Sequence, residues 1–168
     1  MVQLLLTLPD LIALAAGFSV FLTATAAAGR LRSIHGVSRP TWGAQLLPAG
    51  LLAAALLGRG WGHPAASAFG MLVLAIADPL AALVGSRIHS LSWRVPGARK
   101  SLAGSAAFLL AASDQGFLLT LAAGSLRGPG VAAAAVALTA VEACTGFGLE
   151  NLLLPVAGTL AGRAWLDL

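Results

Sequence analysis

Long apolar runs, each ended by a short polar or charged stretch, repeat along this chain. Residues 3–28, 42–57, 65–86, 102–124, 129–146 and 149–166 are apolar at nearly every position. They lack both the alternation of a half-buried strand and the single stripe of a surface helix. A helix that crosses a bilayer needs roughly 20 such residues, within a range of about 17 to 25. The runs therefore predict an all-α membrane bundle of about six transmembrane helices. The second run is short and contains Pro48, which suits a kinked, re-entrant or little-tilted segment. Ser113-Asp114-Gln115-Gly116 interrupts the fourth and reads as a helix end or a bend, so five or seven crossings stay open. No repeat or linker divides the chain, and residues 1–168 read as one membrane-embedded domain.

Composition supports that reading. Of 168 residues 58% are hydrophobic and only 10% are charged, against about 25% charged in an ordinary soluble domain. A water-soluble domain of this size must cover its surface with polar groups, whereas lipid removes that need. Nine of the ten basic residues lie in short stretches between apolar runs, a membrane pattern and not a nucleic-acid one. Arg30, Arg32 and Arg39 fall within 29–41; Arg87, Arg94, Arg99 and Lys100 fall within 87–101. The loops near Arg59 and Arg127 carry one arginine each. Lysine and arginine favour the cytoplasm, which predicts both rich loops inside and the amino terminus outside. Six crossings then bring the 146–150 turn to the cytoplasmic face as well. The first run has no basic start and is too long for a cleavable signal core. The single cysteine, Cys144, excludes an internal disulfide framework.

Several polar residues sit where lipid should have excluded them. Asp78 lies within Met71–Val84 and Glu142 within Val131–Cys144, each close to the predicted cytoplasmic end of its helix. A carboxylate at membrane depth is costly unless paired, hydrated or metal-bound; each acid reads as a functional group or as the partner of an arginine. Glu150-Asn151 opens the last run, where a carboxylate also suits the helix dipole. In Lys100-Ser101-Leu102-Ala103-Gly104-Ser105, Ser101 can cap the fourth helix and Gly104 leaves room against the backbone. Free amides and the positive end of a helix dipole would make a phosphate cradle there, with Lys100 at its rim; the alternative is a basic interfacial anchor. The chain uses arginine nine times and lysine once, and the one lysine is here. Acids for a metal and a basic helix start for phosphates point to magnesium-dependent phosphoryl transfer, with an apolar acceptor entering from the bilayer.

The run Ala77-Asp78-Pro79-Leu80-Ala81-Ala82-Leu83-Val84-Gly85, followed by Lys100-Ser101-Leu102-Ala103-Gly104-Ser105-Ala106-Ala107-Phe108, resembles the central signature of the phytol kinase and dolichol kinase family. Val141-Glu142 with Gly148-Leu149-Glu150-Asn151-Leu152-Leu153-Leu154-Pro155 is similar to that family's later acidic block, and Arg32 and His35 to its early basic element. The resemblance covers residues 30 to 158. It implies a kinase that moves the γ-phosphate of CTP, with Mg²⁺, to an isoprenoid alcohol at the cytoplasmic face of a multi-pass membrane protein. By position it implies catalytic roles for Asp78, Lys100 and Glu142. Gly85, Ser101, Gly104, Ser105, Glu150 and Asn151 would bind the nucleotide, and Asp78, Glu142 and Glu150 the metal. Partners are then CTP, a lipid alcohol and membrane lipids, without nucleic acid, and a homo-oligomer is left open. Three departures stand out: Glu150 where the family has Asp, Ser33 within the early element, and no second glycine in 86–99. The alternatives are a phosphatidate cytidylyltransferase-like nucleotidyl transfer, which the absence of lysine after residue 100 disfavours, and a small transporter, for which no inverted repeat is visible.

Overall fold

A computed structural model describes residues 7–27 and 42–168, so Arg32, His35 and the 29–41 loop lie outside the described residues. The chain is mostly helical, in the order α1 (Leu8–Ala27), α2 (Gly43–Gly60), α3 (Pro64–Leu72), a π turn (Val73–Ala77), α4 (Asp78–Arg87), β1 (Ser92–Val95), β2 (Ala98–Ser101), α5 (Leu102–Ala122), α6 (Gly128–Cys144), α7 (Glu150–Ala161) and a second π turn (Gly162–Leu166). Among the described residues three stretches are long and apolar enough to cross a membrane: Leu8–Thr25, Pro64–Arg87 and Leu102–Ala122. Helix α6 is apolar but shorter. Phe69, Val73, Phe108, Leu138, Leu154 and Leu166 fill the core, and α1 exposes Ile12, Leu14, Phe18 and Phe21 at the edge of the bundle.

Two expectations change. Helix α5 runs unbroken through Ser113–Gly116; none of the four is proline, and Gln115 and Gly116 turn inward while Asp114 is exposed. The 87–101 stretch is not only loop. It carries the antiparallel hairpin β1–β2, with Trp93 opposite Lys100 and Val95 opposite Ala98. Pro96 and Gly97 (φ +72°) form its turn, the Pro-Gly pairing that a type II turn favours.

The widened turn before α4 has a covalent cause. Pro79 has no N–H, and in an α-helix its ring would strike the carbonyl of Ala75. The helix relaxes to a π turn in which the Asp78 amide donates to Val73 O, five residues back. The extra residue re-phases the helix: Asp78, Ala82 and Gly85 line one cavity, and Ala75 is not among its lining residues.

Helices meet through small residues, as they must where lipid supplies no hydrophobic drive between them. A Cβ on Gly158 would lie 2.5 Å from the Gly70 Cα, so α3 and α7 cross backbone to backbone. Gly104 similarly abuts Ala81 O and Gly85, bringing α5 onto α4. Pro155 cannot donate to Asn151 O, and that carbonyl lies against Gly50 of α2.

The connections sort into two ends. At one, the Trp42 amide donates to Phe147 O at 2.9 Å and the Trp93 indole to Ala143 O at 2.9 Å. At the other, Arg127 pairs with Asp167 at 2.8 Å. The hairpin, the start of α2 and the 145–149 turn thus share one end of the bundle.

Candidate functional site

At that end a cavity of about 520 Å³ opens between α4, the hairpin, the start of α5 and the facing ends of α6 and α7. Asp78, Gly85, Lys100, Ser101, Gly104, Glu142 and Glu150 line it, bringing together residues as far as 72 positions apart, from Asp78 to Glu150. Each element delivers its residue for a local reason. The π turn sets Asp78 at the first position of α4, the strand register brings Lys100 to the inner side, and Glu142 sits in the last turn of α6.

Lys100 Nζ lies 2.6 Å from Glu142 Oε1, and Ser105 Oγ donates to Glu142 Oε2 at 3.1 Å. Glu142 is 4% exposed, so its charge is balanced within the protein. Ser105 acts from behind the cavity wall, through Glu142. Asp78 and Glu150 differ from it. No hydrogen bond or ion pair joins Asp78 to the described residues, and Glu150 Oε2 is buried without a hydrogen-bond partner among them.

The expected cradle of free amides is not formed. At the start of α5 the Leu102 amide donates to Leu91 O at 2.8 Å, the Ala103 amide to Ser90 Oγ at 3.0 Å and the Gly104 amide to Ser101 Oγ at 3.2 Å. Three of the four donors that a helix start leaves orphaned have thus found partners. Anion binding here rests on side chains and on the helix dipole. Gly85 and Gly104 are explained by the close approach of α4 to α5: a Cβ on Gly85 would lie 2.7 Å from Ser101 Oγ. Asn151 does not reach the cavity; its amide donates to Gly43 O at 2.8 Å and braces α7 against α2.

Sequence reasoning missed His89, Ser90, Ser92 and Arg99, all of which line the cavity. Arg99 is fastened by Nε and Nη2 to Ser92 Oγ at 3.0 and 2.6 Å. Their signal was the polar cluster His89-Ser90-Leu91-Ser92 between two apolar runs, which reads as an ordinary loop when judged by charge alone.

Among the described residues no group of three or more His, Cys, Asp or Glu side chains stands close enough to share a metal ion. Glu142 is committed to Lys100 and Ser105, which leaves Asp78 and the orphaned oxygen of Glu150. Two carboxylates match the usual demand of magnesium, which takes one or two from protein and the rest from water and phosphates. The arrangement suits a metal that arrives with a phosphorylated ligand more than a closed protein cage.

Comparisons with family models, with curated proteins and with solved structures find no match to the chain.

Proposed function

We propose that the chain is a CTP-dependent lipid-alcohol kinase, embedded in the membrane by six helical crossings, with its site on the cytoplasmic face. The observation that carries this reading is the joint lining of one cavity by Asp78, Lys100, Glu142 and Glu150 at one end of an apolar bundle. Phosphoryl transfer asks a protein mainly for positioning and charge neutralisation, and this cavity offers cations for phosphates beside carboxylates for a metal. Asp78 and Glu150 would hold magnesium together with the nucleotide, and the ion would neutralise charge on the transferring phosphate. Lys100 and Arg99 meet the phosphates. The acceptor's hydroxyl oxygen bonds to the γ-phosphorus, the β–γ bridging oxygen departs with CDP, and the hydroxyl proton passes to a cavity carboxylate.

An apolar acceptor fits the surroundings. A groove of about 760 Å³, walled by α1, α2 and α3 through Leu14, Phe18, Leu51, Leu52, Met71 and Leu72, is lined by apolar residues. Leu72 at this groove and Asp78 at the cavity are six residues apart on one continuous helical stretch, on the order of 9 Å of rise. Six crossings are supported by Trp42 and Trp61, which bracket the 18 residues of α2. Its length of about 27 Å matches the hydrocarbon thickness, and tryptophan favours both interfaces.

The test is transfer of radiolabel from γ-labelled CTP to a panel of lipid alcohols (phytol, geranylgeraniol, polyprenols) by the purified protein in vesicles. A labelled lipid phosphate, formed only with magnesium or manganese, is the expected product. No labelled lipid with any alcohol or nucleotide would remove the kinase reading.

A further inference from the structure

We infer that Trp93 is a positioning residue that holds Lys100 against Glu142 and so presents the site's ammonium to the nucleotide's phosphates; the last step rests on the kinase reading above. Trp93 and Lys100 are directly opposed in the β1–β2 ladder, so their side chains rise from the same face of the hairpin, about 5 Å apart at Cβ. On α6 their partners are consecutive: the Trp93 indole donates to Ala143 O at 2.9 Å and Lys100 Nζ to Glu142 Oε1 at 2.6 Å. One opposed pair on the hairpin therefore grips one adjacent pair on the helix.

The indole's acceptor explains why the grip is specific. Ala143 lies in the last turn of α6, where carbonyls have no intrahelical donor and need one from elsewhere. A two-stranded hairpin of four-residue strands is marginal by itself, and a lysine stem is too flexible to fix its own register. Contacts at the tip, where Gly97 meets the Phe147 ring and Pro96 O meets Gly146, steady the turn. Beside Lys100 on the same face of the hairpin, the tether to α6 is the indole. Phenylalanine would supply the ring but no donor.

Lys100 is the only lysine in the chain, so its amine reports on its own surroundings. The experiment measures the rate at which a small amine-acetylating reagent modifies Lys100 in the intact protein, read by peptide mass. Trp93→Phe should speed modification about fivefold, the change in an opening equilibrium that loss of one net hydrogen bond produces. Trp93→Tyr, which keeps a donor at the ring's rim, should stay within about twofold of the wild type. Trp165→Phe, at the opposite end, should match the wild type. An unchanged rate in Trp93→Phe overturns the inference.

A measurement on the unmodified protein covers the case in which Trp93→Phe does not fold. With ¹⁵N-indole labelling, the Trp93 indole proton should exchange at least about tenfold more slowly than that of the exposed Trp42; equal exchange overturns the inference. In the transfer assay, Trp93→Phe should raise the KM for CTP about fivefold and leave the KM for the alcohol unchanged. A wild type inactive on every alcohol would sink the kinase reading, while the acetylation and exchange rates would still decide the role of Trp93.

Discussion

Lys100 Nζ and Glu142 Oε1 lie 2.6 Å apart across 42 residues of chain, with side chains 13% and 5% exposed. Breaking one half of so sheltered a pair strands the other charge, which costs about 3–5 kcal/mol. Lys100→Met alone should therefore destabilise the folded protein by about 3 kcal/mol. Lys100→Met with Glu142→Leu should recover most of that loss and remain inactive. Thermal unfolding of the two single variants and the double variant in detergent checks this. Additive losses would mean that the pair contributes no coupling.

The same pair separates phosphate chemistry from anchoring. Ammonium is a compact charge and guanidinium a broad fork, and the former sits 2.6 Å from Glu142. Lys100→Arg should keep expression and lose at least about tenfold in turnover with CTP, since small misplacements of reacting groups can cost about a hundredfold. Arg94→Lys, on the exposed face of the hairpin, should change little. Turnover measured at saturating alcohol decides between them, and equal tolerance would make Lys100 an anchor.

Asp78 has no hydrogen bond or ion pair to the described residues, so removing its charge should spare the fold. Asp78→Asn should insert and purify as the wild type does, and transfer should fall at least about a hundredfold. The assay is run across a magnesium titration. Full activity in Asp78→Asn would make the acid structural.

The helix crossings carry a prediction of their own. A side chain on Gly158 meets the Gly70 backbone at 2.5 Å, whereas one on Gly17 meets nothing within 4 Å. Gly158→Val should cost at least about 1–3 kcal/mol through overpacking of two backbones, and Gly17→Val should be silent. Size-exclusion profiles in detergent, followed by thermal melts, check the contrast.

Much of this was legible in the sequence. Among the described residues the apolar runs located the helices to within a few residues, because a helix in lipid must be apolar over its whole length. Asp78, Lys100, Glu142 and Glu150 stood out because a charge at membrane depth is costly. What escaped notice depends on tertiary partners. The hairpin was hidden by its charge, although Pro96-Gly97 carries a turn signal. The amides expected to be free at α5 are filled by Ser90 and Leu91, which no local rule brings back to that helix. Asn151 looked like a ligand residue, and its amide instead closes on Gly43, 108 residues away. The π turn that sets the phase of Asp78 was hinted at in the sequence by Pro79 alone.

Orientation can be tested without any assay of activity. In a Cys144→Ser background, Arg94→Cys samples the hairpin and Leu126→Cys the opposite end, both exposed positions. A membrane-impermeant thiol reagent applied to intact cells should label position 126 and not 94. The reverse pattern would turn the cavity away from cytoplasmic CTP.

The most direct measurement compares CTP labelled at the α-phosphorus with CTP labelled at the γ-phosphorus, each offered with magnesium and a lipid alcohol. A kinase breaks the β–γ bridge, so the γ-label alone should enter the lipid and CDP should accumulate in equal amount. Entry of the α-label with release of pyrophosphate would contradict the account and indicate nucleotidyl transfer in the same cavity.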